Sequence, residues 1–145
     1  IAHRVPAETT HYTLRVGQRS QRQKSSGVWV ATSSGSTGAI RSSGGEVLSL
    51  SDQRIQYRVR ELFPLSVGDQ EPITHGVLDG GFELESHIST GVLYIDGNHH
   101  RAFFGAGDRI RCEISQRPMP WVAAANVEQR RGRMRSVSAR ILKHR

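Results

Sequence analysis

Short stretches in which apolar and polar residues alternate recur along the chain, and they constrain its fold more than any other feature. Apolar side chains fall mostly on alternate positions of residues 10–16, 54–62 and 82–88, and short apolar runs occupy residues 28–31 and 91–95. A period of two places alternate side chains on one face of a β-strand. Strands of this length at spacings of about ten residues predict a mainly β domain. We expect layered antiparallel sheets in a β-sandwich-like arrangement, with one or two short helices.

The length and charge pattern predict the domain boundaries. The chain has 145 residues, which suits one domain. We expect a single β-rich domain over residues 1–125 with its core at about 9–117, followed by a basic tail over residues 126–145. Residues 129–145 carry seven Lys or Arg and no acid, a pattern typical of a solvated segment. The polar residues 17–26 are predicted to form a basic loop.

Composition restricts the partners and the compartment. The net charge of +7 favours polyanionic partners, either nucleic acid or a phosphorylated small molecule. Aromatic residues make up 6% of the chain and do not interleave with basic ones, so nucleic acid is not the expected partner. No apolar run approaches the roughly 18 residues of a membrane helix, so no membrane partner is expected.

Cysteine and histidine spacing gives no metal site. A single cysteine, Cys112, excludes an intrachain disulfide and indicates a reducing, cytoplasmic setting. The seven histidines lack the spacing of zinc ligands, so no metal site is predicted. The first residues lack the apolar core of a signal peptide, so none is predicted. They also lack an initiating Met, so we expect a piece of a longer protein, with a processed product as the alternative.

Residues 27–45, "GVWVATSSGSTGAIRSSGG", are the strongest candidate for a functional segment. They begin as a strand and continue as a run of small residues. A short helix is expected over about residues 36–43, with Ser34, Ser36 or Thr37 as a cap and a stop at Gly44–Gly45. Such a segment can present N–H groups and hydroxyls to a phosphate or ribose, although it is neither a Walker A loop nor GxGxxG. The pattern alone leaves open a linker, a helix cap and a ligand-binding loop.

Two blocks of the sequence resemble the NAD kinase family. The first block is similar to the family signature D-G-φ-φ-V-x-T, P-T-G-S-T-A-Y and S-x-G-G. Its matching residues are Gly27, Val30, Thr32, Ser34, Gly35, Ser36, Thr37, Ser43, Gly44 and Gly45. The second block resembles a C-terminal strand–Asp-Gly–strand–Gly-Asp–strand pattern through Asp96, Gly97, Gly107, Asp108, Ile110 and Ile114. The resemblance covers about residues 26–117 and keeps its order throughout.

The resemblance implies an enzyme that phosphorylates the adenosine ribose 2′-hydroxyl of NAD to give NADP, using ATP or another phosphoryl donor with Mg²⁺. It implies the family's β-rich C-terminal domain, which binds much of the NAD, and a cytoplasmic homo-oligomer. By position, the residues that bind the dinucleotide would be Ser34, Gly35, Thr37, Gly38, Ala39, Ser42 and Asp96. For Asp96, a purely structural role as a turn aspartate before glycine is the alternative.

The sequence also departs from the family pattern. Ser26 replaces the aspartate before the glycine, Gly38 replaces an alanine, and Ala39 replaces the family's tyrosine. The family's "GGDGT", with its proposed catalytic aspartate, and the Asn-Glu pair that follows it do not occur; "LDGGFE" at residues 78–83 has those letters in another order. The resemblance therefore implies a C-terminal domain without the N-terminal α/β domain, without catalytic residues and inactive by itself. The alternatives are a related lipid or sphingoid-base kinase domain, and a non-catalytic basic β-domain that binds nucleic acid or a protein.

Overall fold

The computed structural model describes residues 1–64, 71–117, 120, 126–132 and 134. These residues form ten strands: β1 Ala2–His3, β2 Thr10–Val16, β3 Arg19–Ser25, β4 Gly27–Ala31, β5 Ile55–Arg60, β6 His75–Leu78, β7 Phe82–Ser86, β8 Gly91–Ile95, β9 His100–Phe104 and β10 Arg109–Cys112. A 3-10 helix spans Ser34–Thr37 and α1 spans Ala39–Ser42. Residues 127–132 and 134, here called the C-terminal helical segment, are also helical.

The strands form three antiparallel sheets, in the orders β1-β8-β9, β10-β7-β2-β3 and β4-β5-β6. Their apolar faces share one core that includes Tyr12, Leu14, Val28, Ile55, Tyr57, Phe82 and Leu84. The rings of Tyr57 and Phe82, 5.0 Å apart between centroids, join the third sheet to the second. The mainly β fold with antiparallel sheets and short helices is therefore confirmed. No helix among the described residues is long and apolar enough to cross a membrane.

The prediction of a basic loop over residues 17–26 is wrong, because β3 lies within it. A turn at Gly17, where φ is +57°, reverses the chain so that Val16 pairs with Arg19 and Thr10 with Ser25. The inward side chains of β3 are polar, which removed the apolar alternation expected of a strand. Specific partners compensate for most of them: Gln23 Nε2 donates to the carbonyl of Ile73 at 2.7 Å, and Ser25 Oγ lies 2.8 Å from the Tyr12 hydroxyl. Gln23 Oε1 is buried without a hydrogen-bond partner among the described residues.

Both ends of the described chain contain regular elements. β1 pairs with β8, and the backbone of Val28 donates to the carbonyl of Ile1 at 2.8 Å. Of the basic tail predicted over residues 126–145, only residues 126–132 and 134 lie within the described part. Within that part the chain is largely helical, and Arg131 is buried.

Candidate functional site

The small-residue segment follows β4 directly and lies against β5. After Ala31 the chain turns through Thr32 and Ser33 into the 3-10 helix, and Gly38 separates that helix from α1. Gly38 has an extended ψ of −150°, so the single helix expected over residues 36–43 is instead two single turns. Glycine, serine and threonine have low helix propensity, which explains why one continuous helix does not form. Residues 32–45 are called the small-residue loop below.

The small-residue loop has an exposed face and a buried face. The exposed face contains Ser34, Gly35, Gly38, Ala39 and Ser42, and the half-buried Thr37 adjoins it. The buried face contains Ser33, Ser36, Ile40 and Gly45. Six of the seven candidate residues therefore belong to one loop, and their positions leave them accessible to a ligand.

Ser36 anchors the loop through its buried face. Its side chain is fully buried; Oγ donates to the carbonyl of Ser33 at 2.7 Å and accepts from the backbone N–H of Leu48 at 3.0 Å. The helix-cap prediction is wrong, because in this fully described stretch neither short helix has a side-chain cap. The Ser36 hydroxyl instead joins the beginning of the loop to the segment that follows it. The hydroxyls of Thr32 and Ser34, 3.1 Å apart, remain on the exposed side.

The predicted glycine stop of the helix is confirmed. Gly44 has a φ of +86°, and the N–H groups of Gly44 and Gly45 donate to the carbonyls of Arg41 and Ile40 at 2.9 Å. A Cβ at Gly45 would lie 2.7 Å from the Ile40 carbonyl oxygen and 2.8 Å from Gln56 Oε1. Glycine is therefore required at this position by the closeness of the neighbouring atoms.

The C-terminal helical segment contacts the loop through two side chains. Arg131 Nε donates to the carbonyl of Leu48 at 3.2 Å, and its Nη2 donates to Ser36 Oγ at 3.1 Å and to the carbonyl of Ser33. Glu128 Oε1 accepts from the backbone N–H of Leu50 at 2.8 Å. Sequence reasoning missed Arg131, because a run of seven basic residues looks solvated at every position.

Asp96 occupies a different part of the fold. It lies in the turn between β8 and β9, where it is exposed with a φ of +53°, and Gly97 follows with a φ of +74°. Aspartate tolerates this left-handed conformation better than most residues. Among the described residues, no hydrogen bond or ion pair joins Asp96 to the small-residue loop. The structure thus places Asp96 in the turn between two strands of the first sheet, outside the loop that contains the other six candidates.

Positive charge surrounds the small-residue loop. Arg58 Nη1 donates to the carbonyl of Gly44 at 2.9 Å, Arg41 lies within α1, and Arg131 is buried against Ser33 and Ser36. Glu46, which follows the loop, is exposed to solvent. One guanidinium group within the loop and two that contact it from other elements favour an anionic ligand.

Two surface cavities lie elsewhere. One of about 360 Å³ is lined by residues that include Arg4, Thr90 and Phe103, and one of about 590 Å³ by residues that include His11 and His87. Neither is lined by a candidate residue. The described residues also contain no group of three His, Cys, Asp or Glu that could hold a metal ion. The exposed face of the small-residue loop therefore remains the candidate site.

The chain is similar to proteins of one kind in both sequence and fold. No protein-family profile matches it. It is 34% identical over 124 residues to a "Probable NADH kinase" of Oryza sativa subsp. japonica, a match that covers 79% of this chain and 37% of the relative. It is 34% identical over 94 residues to an "NADH kinase" of Arabidopsis thaliana, covering 63% of this chain and 28% of the relative. The chain thus matches about a third of the length of these curated relatives.

A solved structure, the NAD kinase of Archaeoglobus fulgidus in complex with ATP, shares the fold with a TM-score of 0.69. At 22% identity the match covers 96% of this chain and 51% of the other. The two motif blocks of the sequence lie on the small-residue loop and in the β8–β10 region. The sequence matches and the shared fold indicate the same family as these two blocks. The chain belongs to the NAD kinase family.

Proposed function

We propose that this chain binds NAD or NADH within an enzyme that phosphorylates the adenosine ribose 2′-hydroxyl to give NADP or NADPH. The observation that carries the proposal is the small-residue loop. It leaves six candidate residues accessible to a ligand, while hydrogen bonds anchor its buried face. Both curated relatives are named as NADH kinases, so a lipid or sphingoid-base substrate is not favoured.

The chemistry of the loop suits a dinucleotide. The hydroxyls of Ser34 and Thr37 can donate to or accept from ribose and phosphate oxygens. The small residues Gly35, Gly38 and Ala39 leave room for close approach of a ligand to the backbone. The guanidinium groups around the loop favour the negative charge of a pyrophosphate. In this proposal the loop binds and orients the dinucleotide and takes no proton from it.

ATP is the proposed phosphoryl donor, supported by the ATP complex of the structural neighbour. Mg²⁺ is proposed from the chemistry of phosphoryl transfer, in which metal ions neutralise phosphate charge. The described residues contain no group of three His, Cys, Asp or Glu that could hold such an ion by themselves. We therefore assign no step of the reaction to a metal held by this chain. We further propose that the enzyme is a cytoplasmic homo-oligomer and that its catalytic base lies outside these residues.

Thr37→Ala tests the loop assignment. The protein used is the product of the complete coding sequence, called the complete protein below. Calorimetric titration of NAD and of NADH into it should give saturable binding. Loss of one ligand hydrogen bond should weaken that binding about tenfold in Thr37→Ala. Thr74→Ala is the matched control, since Thr74 is a half-buried threonine outside the loop. Absence of binding of either dinucleotide to the unsubstituted protein would contradict the proposal.

Asp96→Asn tests the remaining candidate. Asparagine is nearly the same size and shape as aspartate and tolerates a positive φ, so the fold should be unaffected. If Asp96 contacts the dinucleotide in the assembled enzyme, affinity should fall at an unchanged melting temperature. Unchanged affinity would assign Asp96 to the turn alone.

A further inference from the structure

Arg131 is a buried cation that is held by uncharged groups of the small-residue loop and of Leu48, which follows it. It is 7% exposed, and its guanidinium donates to the carbonyls of Ser33 and Leu48 and to the hydroxyl of Ser36. Among the residues that the structure describes, no carboxylate forms an ion pair with it. Burying a guanidinium is costly unless several acceptors compensate for the lost hydration, and here these three acceptors provide the compensation.

The three acceptors belong to two separate segments. Ser33 and Ser36 lie at the beginning of the small-residue loop, and Leu48 follows its end. The Ser36 hydroxyl already joins the two segments through Ser33 and Leu48. Arg131 joins them a second time, from an element about a hundred residues away in sequence. The beginning and end of the loop are therefore held together twice, on the face opposite to the candidate ligand groups.

Glu128 fixes the next part of the chain. Its Oε1 accepts from the backbone N–H of Leu50 at 2.8 Å and from the Ser49 hydroxyl at 3.3 Å. Glu128 and Arg131 are three residues apart in the C-terminal helical segment, so they lie on one side of it. The segment thus contacts residues 33–36 and 48–50 with one face.

We propose that Arg131 is a positioning residue that holds residues 33–38 in the conformation that receives the dinucleotide. This inference rests on the proposed function of the loop. Fixing the loop before the ligand arrives lowers the entropy cost of binding.

The test compares substitutions in the complete protein. Arg131→Ala removes the contacts and the charge, Arg131→Lys keeps the charge but not the planar array of donors, and Arg130→Ala removes an exposed neighbouring charge as the matched control. We expect the Kd and KM for NAD to rise about tenfold in Arg131→Ala and about threefold in Arg131→Lys, with the KM for ATP unchanged. Arg130→Ala should bind NAD as the unsubstituted protein does. Amide hydrogen exchange of residues 33–38 should become faster in Arg131→Ala without any ligand.

The outcomes separate this inference from the proposed function. If the unsubstituted protein binds no dinucleotide, the proposed function fails, and faster exchange in residues 33–38 of Arg131→Ala would then support only the part of the inference in which Arg131 fixes the loop. Unchanged exchange together with unchanged Kd in Arg131→Ala overturns the inference. Should Arg131→Ala fail to fold, Arg131→Lys decides: weaker NAD binding at a constant KM for ATP supports the inference, and an unchanged Kd overturns it.

Discussion

The side-chain amide of Gln56 pairs with both backbone groups of Glu46. Gln56 Oε1 accepts from the N–H of Glu46 at 2.6 Å, and Gln56 Nε2 donates to its carbonyl at 3.0 Å. Gln56 belongs to β5 and is 2% exposed, while Glu46 directly follows the small-residue loop. This pair attaches the end of the loop to the third sheet as a cross-strand neighbour would.

Gln56→Leu should destabilise the protein. The substitution leaves the two backbone groups of Glu46 without their partners, which should lower the free energy of unfolding by about 1–3 kcal/mol. Gln53→Leu is the matched control, because Gln53 is exposed just before the same strand. Urea denaturation of both variants measures the difference. Equal stability of the two variants would show that the pairing contributes nothing.

Gly45→Ala should be destabilising because of crowding. The added methyl group would lie 2.7 Å from the carbonyl oxygen of Ile40 and 2.8 Å from Gln56 Oε1, closer than real Cβ contacts. Relieving this crowding requires a shift of the loop. That shift should lower the free energy of unfolding by about 1–3 kcal/mol and weaken NAD binding. Gly80→Ala is the control, since a Cβ there meets no atom within 4 Å. A melting temperature of Gly45→Ala equal to that of Gly80→Ala would contradict the expectation.

Ser34→Ala and Ser36→Ala should separate binding from anchoring. Ser34 is exposed, so its substitution should weaken NAD binding about tenfold and leave the melting temperature unchanged. Ser36 is fully buried and its hydroxyl makes three hydrogen bonds, so its substitution should lower the free energy of unfolding by about 1–3 kcal/mol. Calorimetry and thermal unfolding of both variants provide the comparison. The opposite pattern would mean that the two faces of the loop have been assigned the wrong roles.

Alkaline pH should destabilise the protein through Tyr12. Burial raises the pKa of the Tyr12 phenol, and its hydrogen bond with Ser25 only partly opposes that rise. Because the folded pKa exceeds the unfolded value of about 10, the stabilising contribution is complete below that pH and is lost as the pH rises above it. Tyr12→Phe should reduce the fall in unfolding free energy between about pH 9 and about pH 11. An unchanged slope would show that ionisation of Tyr12 does not limit alkaline stability.

The sequence was sufficient to predict an element where its local pattern of residues agrees with the packing. The bounds of β2, Thr10–Val16, match the prediction, because Tyr12 and Leu14 are the inward residues and both are fully buried. The loop after β4 and its glycine end could also be predicted from the sequence. The structure explains the two glycines, because Gly44 has a positive φ and Gln56 lies too close to Gly45 for a side chain there.

Other features depend on contacts that no local pattern reveals. β3 has a polar inward face, and its stability as a strand depends on partners such as the Ile73 carbonyl, fifty residues away. Arg131 looks like any other residue of the basic segment, and only its contacts with Ser33, Ser36 and Leu48 distinguish it. Asp96 has a positive φ in its turn, and among the residues that the structure describes no hydrogen bond or ion pair joins it to the loop.

The formation of 2′-phosphorylated dinucleotide tests the central claim most directly. The complete protein is incubated with ATP, Mg²⁺ and either NAD or NADH, and the NADP or NADPH formed is measured with a specific dehydrogenase. The account predicts ATP-dependent product with at least one of the two substrates, and a higher KM for that dinucleotide in Ser34→Ala and Thr37→Ala. If the folded complete protein forms no product from either dinucleotide, or if both substitutions leave the KM unchanged, the account is contradicted.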